Sequence, residues 1–471
     1  MHAKIFFGST EATKENLSER KSPYNGEVVS TAPICNAEDT KNALKIAEEA
    51  TVAAKASTLA QRCSWLLDVA QKLRDNKEDI ARTMTDEVGK PITFARVEVE
   101  RCIETVTLST ETMRTMHGET INTDAMASGK KTISYFSRVP VGVVACITPF
   151  NFPLNLVAHK LAPALVAGNT VVLKPTPEAP LTAYKFVKLF VESEFAVKDA
   201  LSLVYGDAEV GGTLVSSDIP RVISFTGSVP VGNIITKSAG IKKVGLELGG
   251  NAATYIDKSA DLDLAAARCS LGAFVNSGQV CISLQRIYVN ADIYDVFAQK
   301  MAEETKKLVV GSPYEDDTFM GPLIDDEAAE RAMGWVESAI EEGAIPLLPP
   351  SRDGRMFNPC VMANVTDDMA IVCEEVFAPI VSLVKVDNFD DALPRMNNSP
   401  YGLQFSVFTN DLQLTQRAID ELDAGGIVIN DMPTLRFDIQ PYGGVKLSGV
   451  GREGPRFAIE EMTEIKSVVI C

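Results

Sequence analysis

The stretch Phe-Val-Asn-Ser-Gly-Gln-Val-Cys-Ile-Ser-Leu-Gln-Arg, residues 274–286, sets Cys281 between a Gly-Gln-Val lead-in and an apolar, strand-like run. A cysteine thiolate adds readily to a carbonyl carbon, but only where its surroundings activate it. Eight other cysteines are scattered through the chain: Cys35, Cys63, Cys102, Cys146, Cys269, Cys360, Cys373 and Cys471. An odd, widely spread set with no Cys-x-x-Cys pair predicts free, reduced thiols, with no disulfide framework and no metal site. The only histidines are His2, His117 and His159. A reactive cysteine here must therefore find its base elsewhere. Glu247, in Gly-Leu-Glu-Leu-Gly-Gly-Asn, is a carboxylate at the end of an otherwise apolar strand. Burial there raises a carboxyl pKa, which suits a base working near neutrality, although a core glutamate paired with a lysine would look the same.

Two segments offer to hold a phosphate. In Phe-Thr-Gly-Ser-Val-Pro-Val-Gly, Gly227 and Ser228 close a strand and Val229-Pro230 opens a helix, the arrangement that presents backbone N–H groups to an anion. Lys174 ends the strand Thr-Val-Val-Leu-Lys, within reach of a ribose or phosphate or simply on the surface. A literal Gly-x-Gly-x-x-Gly occurs at 449–454, but Pro-Tyr-Gly-Gly-Val-Lys-Leu-Ser precedes it where a dinucleotide fingerprint needs a strand, so it reads as a loop.

The elements that must position these groups follow from periodicity. Residues 141–250 repeat a unit of short apolar strand, loop and helix, with strands predicted at 141–147, 170–174, 201–206, 221–227 and 243–250. Strands apolar on both faces and separated by helices predict a parallel, doubly wound α/β sheet, which binds nucleotides at the carboxyl ends of its strands. A second αβ segment spans about Leu262 to Asn430, and the tail ends in another short strand. Ahead of the first sheet, Asn36 to about Gly89 reads as helices, capped by Asn36 and stopped by Gly89-Lys90-Pro91, with Thr105 to Met116 as another. Alternation over 132–137 predicts an exposed or edge strand.

Composition narrows the class. With 45 basic and 63 acidic side chains the net charge is −18, which disfavours nucleic acid and anionic membrane surfaces as partners but not a small anionic substrate held by a local arginine. The first twenty residues lack a signal-peptide core, and no apolar run approaches the roughly 18 residues of a membrane span, so a cytoplasmic enzyme is expected.

Taken in order, Ile-Thr-Pro-Phe-Asn-Phe-Pro (147–153), residues 161–175, Phe-Thr-Gly-Ser (225–228), Leu-Glu-Leu-Gly-Gly-Asn (246–251), Gly-Gln-Val-Cys (278–281), Glu-Glu-Val-Phe-Ala-Pro (374–379) and residues 441–449 resemble the aldehyde dehydrogenase superfamily over nearly the whole chain. The resemblance implies NAD(P)-dependent oxidation of an aldehyde to the acid. It implies two Rossmann-like doubly wound domains, one for cofactor (1–120 and 140–250) and one catalytic (251–435), with a β oligomerisation arm (121–139 and 436–471). It assigns Cys281 as nucleophile, Asn151 as oxyanion donor, Glu247 as general base and Lys160 near the thiol. A glutamate at 247 favours hydrolysis of the thioester over transfer to coenzyme A.

For the cofactor, NADP or NAD, the resemblance implies Ile147, Thr148, Pro149 and Phe150, then Lys174, Thr176 and Pro177, then Gly227, Ser228 and Leu248, with Glu375 and Phe377 at the nicotinamide ribose. Pro177 stands where NAD-preferring relatives carry a glutamate, which favours NADP. Arg436 resembles a substrate-funnel residue of relatives acting on small hydroxylated or anionic aldehydes of the lactaldehyde and glyceraldehyde types, or it pairs with Asp438; Arg114 is a second anion-binding candidate. A homodimer or homotetramer is implied, its arms pairing segments 132–137 and the C-terminal strand that would otherwise be left as open edges. The alternatives are a cysteine–glutamate–lysine amidase without dinucleotide and a coenzyme A-acylating semialdehyde dehydrogenase.

Overall fold

A computed structural model describes residues 1–471 and gathers the parallel strands into two sheets. The first runs, edge to edge, Thr10–Ala12, Ile5–Phe7, Leu201–Leu203, Thr170–Lys174, Val143–Ile147, Pro220–Thr226, Lys243–Glu247 and Gly449–Val450. Its five central strands are parallel. Helices such as Asn155–Val166 and Pro180–Val191 cover them, which is why Val144, Val171, Val172 and Ile223 are buried and why no alternation of polar residues marks these strands. From Val143–Ile147 the chain steps outward through Thr170–Lys174 to Leu201–Leu203, then crosses back to place Pro220–Thr226 on the other side. Strand order reverses there, so the loops after Ile147 and Thr226 diverge and leave a crevice at the carboxyl ends.

The second sheet runs Ile345–Pro346, Cys360–Ala363, Ile380–Val386, Leu284–Asn290, Ala252–Ile256, Gln404–Phe408 and Gly426–Ile429, parallel except for its first strand. Ala252–Ile256 is a fully buried strand to which the sequence reading assigns nothing. It follows strand Lys243–Glu247 with only Leu-Gly-Gly-Asn between, so two strands in two sheets read as one apolar run.

Four local expectations are corrected. The helix expected at Thr105–Met116 runs Ile92–Thr115. Gly89, left-handed at φ 69°, does end helix Lys77–Val88, but Pro91 also opens the next helix, because a helix start leaves an N–H unbonded that proline lacks. Gly449–Val450, read as loop, is an edge strand antiparallel to Lys243–Glu247, so residues assigned to the arm belong to the first sheet. The glycine motif lies at that sheet's far edge and away from the reversal of strand order. Finally, the two segments expected to be open edges pair with each other: Ile133–Pro140 lies antiparallel to Thr463–Ile470 from Pro140↔Thr463 to Ile133↔Ile470, with Glu119–Thr120 on its other side. Thr463–Ile470 and Glu119–Thr120 are the edge strands of this sheet, and on the longer one Ile465, Val469 and Ile470 are exposed. Elsewhere Asn36 caps Ala37–Ala56 as expected, its Oδ1 accepting from the N–H groups of Glu38 and Asp39. No helix is long and apolar enough to cross a membrane.

Candidate active site

Cys281 follows a turn that joins helix Leu262–Phe274 to strand Leu284–Asn290. Asn276, Ser277 and Gly278 are successively left-handed, at φ 53°, 57° and 73°. That region is costly for residues with a Cβ, so the turn persists only because bonds around it hold it. The Ser277 hydroxyl donates to the Gly321 carbonyl at 2.8 Å, and Gln279 Oε1 accepts from the Ile324 N–H at 3.0 Å. A Cβ at Gly278 would sit 2.2 Å from the Ala378 carbonyl oxygen, which explains a glycine three residues before the cysteine. The turn delivers Cys281, alone among the nine cysteines, to a cavity of about 450 Å³ between the two sheets. Burial pushes its thiol up to about 12, opposed by a contact to the Tyr442 hydroxyl, 2.9 Å from Sγ, and by the charge of Arg436.

Asn151 lines the same cavity, in the loop after strand Val143–Ile147. Its Nδ2 donates to the Gln279 carbonyl at 3.0 Å, leaving a second amide hydrogen, and its Oδ1 accepts from the Phe152 N–H at 3.1 Å. The loop is tied down from below. Lys90 Nζ donates to the Asn151 carbonyl at 2.7 Å and pairs with Glu98, whose other oxygen accepts the N–H groups of Leu154 and Asn155 at 2.9 and 3.1 Å. Both members of this pair are buried. Glu98→Leu should strand the Lys90 charge and cost about 3–5 kcal/mol of stability, read as a lower urea midpoint with the slope unchanged; an unchanged midpoint would show that the pair does not support this loop.

Glu247 ends strand Lys243–Glu247 and faces the cavity with its Oε2 buried and unpartnered. Burial, and then the charge of Glu453, raise its carboxyl well above the ordinary value. Glu453 takes the opposite course despite its own burial, because Lys160 Nζ at 3.0 Å and Arg436 Nη2 at 3.1 Å hold it ionised. Lys160, expected near the thiol, is thus paired with Glu453 and does not line the cavity. Asp438 is also held ionised against burial, by Nε2 of the neutral His159 ring at 2.9 Å and a two-point contact from Arg101 at 2.8 and 2.9 Å. Arg436 Nε lies 3.6 Å from Asp438, so the ion pair foreseen from sequence exists, and yet the same guanidinium lines the cavity, 3.7 Å above the Tyr442 ring centre.

The cavity continues into the crevice of the first sheet. Pro149, Phe150, Gly227, Ser228 and Leu248 line this arm, with Glu375 and Phe377 facing them from the other side. Glu375 accepts the Gly250 N–H at 3.1 Å, and burial raises its carboxyl to about 7. Gly249 admits it: a Cβ there would lie 2.0 Å from Glu375 Oε2. These residues fit a dinucleotide. The Thr148 and Thr226 hydroxyls, at the ends of the two diverging strands, are buried without partners, and the Ser228 side chain makes no capping bond to helix Val229–Ser238. Ile147, Thr148, Lys174, Thr176 and Pro177 do not line the cavity itself. Lys174 is buried at its strand end, its stem beside Gly211, with the acids Glu178 and Asp207 countering the fall in pKa that burial causes. Pro177 is exposed, and the Thr176 hydroxyl donates to the Glu178 carboxylate.

Arg114 is exposed in the last turn of its helix and does not reach the cavity. The arginine that does is Arg101, earlier in that helix. Sequence offered a signal for it: Glu98, Arg101, Cys102, Thr105 and Ser109 recur at helical spacing, and charged residues in an otherwise buried stripe need partners. Tyr442 and Glu453 carried no such signal, because the pairing of their backbones, with N···O distances of 3.0 and 2.6 Å, joins two loop segments that neither periodicity nor spacing relates.

The model of the aldehyde dehydrogenase family matches residues 10–468. A 3-sulfolactaldehyde dehydrogenase of Priestia aryabhattai is 42% identical over 464 residues, covering 98% of this chain and 96% of its own. A lactaldehyde dehydrogenase of Methanococcus aeolicus is 39% identical, covering 96% and 97%. Among solved structures, an NADP-dependent glyceraldehyde-3-phosphate dehydrogenase of Bacillus halodurans, complexed with NADP, superposes with a TM-score of 0.98 at 32% identity, covering 100% of this chain and 99% of that one.

Proposed function

The chain belongs to the aldehyde dehydrogenase family and is an NAD(P)-dependent aldehyde dehydrogenase, and from that premise we propose that its substrate is a short 2-hydroxyaldehyde bearing an anionic group on its far carbon. Three arginines, Arg101, Arg331 and Arg436, line the cavity that holds Cys281; Arg101 and Arg436 converge on Asp438, and this pair of guanidinium groups is the observation that carries the reading. Arg101, Arg436 and Lys160 face two carboxylates held ionised, Asp438 and Glu453, while burial raises the Glu247 carboxyl. The cluster thus retains positive charge for a sulfonate, carboxylate or phosphate. The names of the sulfolactaldehyde and glyceraldehyde-3-phosphate relatives support an anion, and that of the lactaldehyde relative supports the 2-hydroxyl.

In this reading Cys281 Sγ adds to the aldehyde carbon, and the Asn151 side chain with the Cys281 N–H holds the resulting alkoxide, a contact of the kind worth roughly 3 kcal/mol. The dinucleotide, when bound, accepts the hydride that leaves that carbon. Glu247 then takes a proton from water, which hydrolyses the thioester on Cys281. Its presence favours hydrolysis over coenzyme A acylation, and family membership sets the amidase alternative aside. Pro177 stands where a glutamate would repel a 2′-phosphate, and this supports a preference for NADP. The free edge of Thr463–Ile470 and its exposed apolar residues support a homodimer or homotetramer built through the arm. Nine unpaired thiols suit the reducing cytoplasm.

The test follows reduced-cofactor absorbance with a sulfonated or carboxylated 2-hydroxyaldehyde and with lactaldehyde. Arg101→Met should raise KM about 10- to 100-fold for the anion, the worth of one lost charged hydrogen-bond pair, and leave lactaldehyde nearly unchanged. Equal losses on both would assign Arg101 to structure and remove the case for an anion.

A further inference from the structure

The side chain closest to the Cys281 sulfur by hydrogen bonding is one that the mechanism above does not use. The Tyr442 hydroxyl lies 2.9 Å from Sγ and makes no other side-chain or backbone hydrogen bond. Three contacts fix its place. The Tyr442 and Glu453 backbones pair in both directions, the Arg436 guanidinium lies 3.7 Å over the ring, and the residue is buried.

Resting on the reading of Cys281 as nucleophile, we propose that Tyr442 is a further catalytic residue, whose hydroxyl donates a hydrogen bond to the Cys281 thiolate and so sets how much of the reactive form exists. A thiol can donate to the phenol or accept from it, but a thiolate can only accept, so ionisation of Cys281 commits the Tyr442 hydrogen to Sγ. The phenol keeps its proton, and the thiol proton passes to water. Arg436 stacked on the ring makes the hydroxyl a stronger donor, as a cation draws electron density from the π face. The other charged groups that bear on the pair are Glu247 and Glu375, both disfavouring the thiolate, with Glu453 beyond them compensating Arg436. Tyr442 is thus the one uncharged donor offered to the sulfur among acids that oppose its ionisation.

Tyr442→Phe removes one oxygen from a packed ring and keeps the stack with Arg436. In the full-length enzyme without cofactor, the pH dependence of Cys281 carbamidomethylation by iodoacetamide, located by mass spectrometry, reads the thiolate directly. The midpoint should rise by about one pH unit in the variant, so that alkylation below it slows about tenfold, the effect of one lost hydrogen bond to a charge. A midpoint shared with the wild type overturns the proposal, and slowed turnover alongside it would move the hydroxyl's role to the substrate. The underlying reading is checked separately, by whether alkylation of wild-type Cys281 abolishes turnover. If it does not, the nucleophile assignment fails, while the midpoint shift still reports on the hydrogen bond.

Discussion

Cys281→Ser is expected to lower turnover by about three orders of magnitude or more while leaving NADP affinity within about twofold. The serine hydroxyl would occupy the same turn, since the strained residues Asn276–Gly278 and the bonds of Ser277 to Gly321 and of Gln279 to Ile324 do not involve the side chain at 281. It would nevertheless be hydrogen-bonded to no base, since the partner of the side chain at 281 is the Tyr442 hydroxyl. The nearest imidazole of the network, His159, is engaged with Asp438, and burial keeps its ring neutral. Activity in a steady-state assay of reduced cofactor, with binding followed by quenching of Trp335 fluorescence, separates the two quantities, because Trp335 lines the cavity. Residual turnover near the wild-type level would remove Cys281 from the chemistry.

Glu247→Gln is expected to separate the two halves of the reaction. The amide keeps the shape but cannot take a proton from water, so oxidation should proceed once per site and hydrolysis should slow by about 10²- to 10⁴-fold. Rapid mixing should show a burst of reduced cofactor of about one per active site, followed by slow release. The pH profile adds a second signature. Burial and the Glu453 charge raise the Glu247 carboxyl, so its basic form is scarce at low pH and grows as pH rises through the raised pKa. Wild-type hydrolysis should therefore climb with pH over that range, and the variant should lose the climb. Absence of a burst in the variant would place Glu247 in the first half-reaction.

Both substitutions were legible before any coordinate. Glu247 stood out as an acid inside an apolar run, and Cys281 by the match of Gly-Gln-Val-Cys to the aldehyde dehydrogenase family, whose resemblance implies the roles of both. The parallel strands were legible locally, since burial on both faces writes itself as continuous apolar stretches such as Thr170–Lys174 and Ile380–Val386. What failed was also local. Leu-Gly-Gly-Asn between Glu247 and Ala252 hides a passage from one sheet to the other, and Gly-Lys-Pro at 89–91 marks both the end of one helix and the start of the next.

By itself, then, the sequence determined most of the parallel strands, because burial on both faces is written in neighbours along the chain, and its ordered motifs carried the resemblance that implies the reaction class. The tertiary structure decided which charges meet. Arg101 reaches the cavity and Arg114, on the same helix, does not; Lys160 serves Glu453; Arg436 both pairs with acids and borders the cavity; and the strands 133–140 and 463–470 close on each other. The physical reason is common to all of these. Coulomb attraction and hydrogen bonding act over a few ångströms, and packing of the helices and sheets, not spacing in the chain, sets distances between residues such as Arg101 and Asp438 or Cys281 and Tyr442.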